Sequence, residues 1–152
     1  GRLAKPYTIG ESEMGPLETG VVEVYRENVR VIEALGREYG FQTMFYWQPT
    51  LFSKETLAPN EVRAAGSFDY IRAFTMGVYA ALKSNRALAG DPHVHDVSDV
   101  FRNTEFGVFF ADYAHISERG NSIVAALIAR DVEQTITAAS LEGGNASSAL
   151  KR

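Results

Sequence analysis

One stretch does most to limit the folds open to this chain. Phe41-Gln42-Thr43-Met44-Phe45-Tyr46-Trp47-Gln48 is aromatic-rich and almost continuously apolar, and Pro49 ends it. Its length and lack of polar alternation predict a strand buried on both faces, as in a parallel sheet. Such a sheet needs helices to cover its faces, and the flanking segments have the period of helices.

Upstream, Leu17, Val21, Tyr25, Val29, Ile32 and Leu35 recur at helical spacing, with Glu and Arg between them. Pro16 suits the first turn of this helix, which ends near Tyr39 with Gly40 as its stop. Downstream, a loop runs through Ala58 and Pro59 fits the start of a second helix. Its buried stripe is Ile71, Phe74, Val78, Ala81 and Leu82, and Gly66-Ser67 is a point where it breaks or kinks. Gly90-Asp91-Pro92 is a turn, and the segment from Val94 to Phe101 reads as a short strand followed by a loop. Ser117 is a good N-cap for a last helix whose inner face is Ile123, Val124, Leu127, Ile128 and Val132. The chain therefore divides into an N-terminal loop at 1–16, a folded α/β part at 17–137 and a Gly-, Ser- and Asn-rich disordered tail at 138–152.

Two parallel strands make a thin sheet with an exposed edge. That predicts a missing partner, either more chain before Gly1 or a second copy in a homo-oligomer. A start at Gly1 rather than Met agrees with a piece of something longer.

The formal net charge of -4 argues against nucleic-acid binding through a basic surface. No apolar run is long enough to span a bilayer, and no basic start with an apolar middle marks a signal peptide. There is no cysteine, which removes disulfides, thiolate chemistry and cysteine-ligated zinc and leaves the compartment open.

The chemistry-bearing motif is Asp112-Tyr113-Ala114-His115, followed at once by Ile116-Ser117-Glu118-Arg119-Gly120-Asn121. An Asp three residues before a His can accept a hydrogen bond from one ring nitrogen and leave the other free as a base. A base of this kind needs a nucleophile. Ser12 in Gly10-Glu11-Ser12 is a weak candidate, because only Pro6 to Ile9 precede it where a buried strand belongs. Gly66-Ser67 is weaker still. His93 and His95 would share one face of a strand and could hold a metal, although no second cluster completes the coordination. Asp96 or Asp99 are minor alternatives to Asp112 as the acid that orients the imidazole. Gln48, at the carboxyl end of the first strand, is placed to approach a ligand.

The block from Phe110 to Asn121 resembles the last conserved block of the SGNH (GDSL-type) hydrolases: Asp, two residues, His, a small polar residue, then a Gly-Asn pair and an apolar helix. The likeness extends from about Leu17 to Ile136 and covers only the C-terminal part of such a domain. It implies a three-layer α/β/α flavodoxin-like sandwich with a parallel sheet. It also implies hydrolysis of a small-molecule, lipid or carbohydrate ester by a serine nucleophile, with no cofactor and no metal. His115 would be the general base and Asp112 its orienting partner. The family's Gly-Asp-Ser and Gly-x-Asn-Asp turns are not in this sequence, so this segment by itself should not turn over substrate. Two rivals stand beside this reading. One is a non-catalytic interaction module of hydrolase ancestry that self-associates, and the other is a metal-dependent enzyme using His93 and His95.

Overall fold

The computed structural model describes residues 10–149, with the side chains of Glu11 and of residues 138–149 left aside. The first helix, α1 (Glu11–Tyr39), begins before Pro16. Gly10 is extended, and its N–H donates to Glu13 Oε2 at 3.1 Å, which closes the open end of the helix. Pro16 therefore lies inside the helix, where it forgoes one backbone hydrogen bond. This corrects the expected loop at 1–16 for residues 11–16; residues 1–9 lie outside the described residues. The C-terminal stop is as expected. Gly40 adopts φ 73°, and the N–H groups of Gly40 and Phe41 both donate to the Gly36 carbonyl, at 2.9 and 3.0 Å.

A shorter strand follows than the sequence predicts. β1 is Phe45–Trp47 and β2 is Val94–Asp96; they pair in parallel with Tyr46 opposite His95. Residues 41–44 lie outside the ladder, which begins at Phe45. β1 is half-buried on both faces rather than fully buried. Between the strands lie α2 (Pro59–Ser67), α3 (Asp69–Ser84) and α4 (Arg86–Ala89). The break expected near Gly66-Ser67 occurs at Phe68. The last helix, α5 (Glu118–Ala149), has its N-terminus capped by Ser117, whose Oγ accepts the Gly120 N–H at 3.3 Å. Its backbone is helical to Ala149, whereas the sequence predicts a disordered tail from 138.

The result is an α/β chain, mostly helical, around a two-stranded parallel sheet among the described residues. Its core falls into two clusters. One joins α1 to α3 and the sheet through Val22, Val29, Val78, Leu82 and Leu88. The other gathers Leu51, Ala64, Ala65, Phe101, Val108 and Phe109 under the loop that carries His115. α1 carries two apolar stripes, and the inward one is Val22 and Val29, both buried, with the half-buried Tyr25. Leu17, Val21, Ile32 and Leu35, expected inside, are exposed together with Val24 and Val31. Apolar surface is left uncovered on this outer stripe and at Phe41, whereas Phe45, Tyr46 and Trp47 of β1 are half-buried.

This assignment has a direct check in urea unfolding. Leu82→Ala, in the α1–α3 seam, should cost about 2–5 kcal/mol. Val24→Ser, on the outer stripe, should change stability by no more than about 0.5 kcal/mol. Equal losses would mean that α1 buries the other face.

Candidate active site

The loop that bears Asp112 and His115 is closed by a short antiparallel bridge. Phe109 pairs with Ile116; the Phe110 N–H donates to the His115 carbonyl at 3.1 Å, and the Ser117 N–H donates to the Val108 carbonyl at 2.6 Å. Tyr113, between the two site residues in sequence, turns inward. Its ring stacks on Phe52 and meets Phe68, and its carbonyl accepts the Leu51 N–H at 2.8 Å. Gly120 allows α5 to start this close to the bridge, because a Cβ there would meet Val108 Cγ1 at 2.9 Å.

Within this loop Asp112 is fully engaged. Its Oδ1 accepts the N–H groups of Ala114 and His115, each at 2.8 Å, and its Oδ2 lies 2.6 Å from His115 Nδ1. An ionised Asp112 at that distance places a proton on Nδ1 and leaves the lone pair on Nε2. The backbone N–H of His115 and then that of Ala114 push the Asp112 carboxyl down to about 2, and the imidazole contributes in the same direction. The His115 side chain is 83% exposed against 24% for Asp112, so the acid is sheltered and the base faces outward.

Beside His115 lies an open cavity of about 450 Å3, lined by Tyr46, Gln48, Pro49, Asn121, Val124 and Ile128 among others. It sits at the carboxyl end of β1, where ligands of open α/β sheets bind. Its wall is mainly apolar, with Tyr46, Gln48, Asn121 and His115 as the residues that bear polar groups. Gln48, named from the sequence, is thus brought to the same place as His115.

The remaining candidates go elsewhere. Ser12 is exposed in the first turn of α1 and does not line this cavity. Ser67 Oγ donates to the Arg63 carbonyl at 3.1 Å, an ordinary bond within α2. Asp96 caps the Ser98 N–H at 2.9 Å, and Asp99 pairs with Lys83 at 2.7 Å and Arg102 at 3.0 Å. Neither acid takes the place of Asp112.

His93 and His95 also part company. His93 Nδ1 is 3.0 Å from Glu33 Oε1, whereas the His95 ring stacks on Tyr46 and its Nδ1 is 3.5 Å from Asp131 Oδ2. The two imidazoles have different partners because only His95 lies within β2. Glu33, Asp91 and His93 do bring three ligand-type atoms within 4.8 Å of one another, ahead of β2 and away from the carboxyl end of the sheet. The hydrogen bond between His93 and Glu33 accounts for that grouping without an ion.

Residues that sequence reasoning passed over stand behind the loop. Glu61 and Lys54 form an ion pair of 2.7 Å with both side chains wholly buried. Glu61 Oε1 accepts the N–H groups of Val108 at 2.7 Å and Phe109 at 3.0 Å, and Oε2 accepts the Ala58 N–H at 2.8 Å. Pro59 at N1 with Glu61 at N3 is a helix-start signature visible in the sequence. Nothing local marks its burial.

The Asp112 geometry sets a pH dependence. Asp112 has a folded midpoint of about 2 against the usual 3.8. Its stabilising bonds are therefore complete above about pH 4 and are lost as pH falls through about 2. Asp112→Asn should lower stability above about pH 4, and the two proteins should converge as pH drops towards 2. Urea midpoints between pH 2 and 6 measure this; a loss of the same size at every pH would overturn the assignment. The site is thus defined by its own geometry and its motif: no protein-family model, curated protein or solved structure matches this chain.

Proposed function

We propose that this chain is the acid–base portion of an SGNH-type serine ester hydrolase. The observation that carries the reading is the sheltered Asp112 bonded to the outward-facing His115 at 2.6 Å, next to a mostly apolar cavity at the carboxyl end of β1. In this reading a serine from the missing nucleophile block gives its proton to His115 Nε2 as its Oγ attacks the ester carbonyl. The same proton then passes to the leaving alcohol, and water releases the acyl group by the reverse sequence. Asp112 holds the tautomer and stabilises the imidazolium that forms. The apolar lining suits the acyl part of a small-molecule, lipid or carbohydrate ester.

The fold implied is the three-layer α/β/α flavodoxin-like sandwich. Its support is the shortness of the sheet and the uncovered outer stripe of α1, which further parallel strands would cover. The same stripe favours one rival, an interaction module in which a second copy covers α1. A mass that rises with concentration, with no hydrolytic partner segment, would support that rival.

The test begins with the DNA upstream of the Gly1 codon. An in-frame extension should encode Gly-Asp-Ser and Gly-x-Asn-Asp turns. The extended protein should hydrolyse short p-nitrophenyl esters and react with a fluorophosphonate probe. His115→Ala should then cut kcat by roughly 10^4-fold or more. An extended protein that hydrolyses esters equally well without His115 would sink the proposal.

A further inference from the structure

We propose that Glu61, with Lys54 as its counter-charge, is a positioning residue that holds the His115 loop through the backbone of residues 108–109. Two of the three amides it binds, those of Val108 and Phe109, lie in the segment that makes the bridge. Val108 also accepts the Ser117 N–H through its carbonyl, and Phe109 is the residue paired with Ile116. One further step along the chain, Phe110 donates to the carbonyl of His115. The path from the Glu61 carboxylate to the imidazole is thus a run of direct hydrogen bonds and adjacent residues.

The neighbours of Glu61 hold the same segment. Lys54 Nζ donates to the Phe106 carbonyl at 2.9 Å, and Asn60 Nδ2 donates to the Phe109 carbonyl at 3.0 Å. Three side chains from the segment 54–61 therefore hold the segment 106–109. Burial alone opposes the charged form of Glu61, but Lys54 and the N–H groups of Phe109, Ala58 and Val108 outweigh it and hold the carboxyl below the ordinary Glu range. A buried ion pair is a poor source of net stability, since apolar residues of the same volume often do as well. What this pair supplies that apolar residues cannot is an acceptor oriented at two chosen amides. The catalytic meaning rests on the hydrolase reading; the geometric statement does not.

The experiment uses this chain and needs no turnover. NMR follows the titration of the Asp112 carboxyl and the exchange of the Ala114 and His115 amides, which depend on loop geometry. In Lys54→Met/Glu61→Leu, the Asp112 midpoint should rise from about 2 towards 3.8, and both amides should exchange at least about tenfold faster relative to core amides. Lys54→Met/Glu61→Gln keeps an acceptor for the two amides and should restore both readings. Val29→Ala, far from the loop, should lower the Tm and leave them unchanged. A folded Leu variant with Asp112 still near 2 and both amides protected as in the native chain would overturn the proposal. If that variant does not fold, the same two outcomes are read on Glu61→Asp, which keeps the charge and withdraws the acceptor by one methylene. Absence of ester hydrolysis in the extended protein would end the hydrolase reading and leave this result standing.

Discussion

The Glu61 carboxylate is the constraint on which the site end of the molecule depends. It is a charge with no exposure, and it persists there because Lys54 and three backbone N–H groups surround it. Removing either charged partner would leave an uncompensated ion in the interior, which typically costs about 3–5 kcal/mol. That cost forces several chain segments to arrive together: the loop after β1, the first turn of α2 and the segment 108–109. The apolar cluster of Leu51, Ala64, Phe101, Val108 and Phe109 then closes around the same point. The hydrogen-bonded pair specifies where the segments meet, and the apolar residues supply the drive to meet there.

The Asp112–His115 pair rests on that base and has a different character. Its geometry is local, since an acid three residues before a His can bond both the backbone and the ring of that residue in one turn. What is not local is the direction in which the pair faces. The inward anchor of Tyr113 and the Phe109–Ile116 bridge turn the imidazole outward beside the cavity. An isolated Asp-x-x-His on a free loop would have the same bond and no cavity fixed beside it.

α1 shows how packing chooses between equivalent sequence patterns. Leu17, Val21, Val24, Val31 and Leu35 form as good an apolar stripe as Val22, Tyr25 and Val29. The second set faces inward because it meets Val78 and Leu82 of α3 and the aromatic side chains of β1. The first set stays exposed, which is why the same helix is compatible with both a larger sheet and a self-associating module.

The sequence by itself determined what depends on neighbours a few residues apart. It carried the helix periods, the Gly40 stop, the break between α2 and α3, the Ser117 cap and the Asp112–His115 bond. Each is a short-range effect of backbone sterics or of a side chain reaching its own turn. Tertiary structure decided what depends on distant partners. It chose the inward stripe of α1 and left β1 only three residues long, because ladder pairing needs a neighbour in register. It separated His93 from His95 by giving one Glu33 and the other Tyr46 and Asp131. It also buried Lys54 against Glu61, two residues that look like ordinary surface charges in the sequence. Burial is a property of the assembled chain, and no local pattern encodes which charged pair the assembly will enclose.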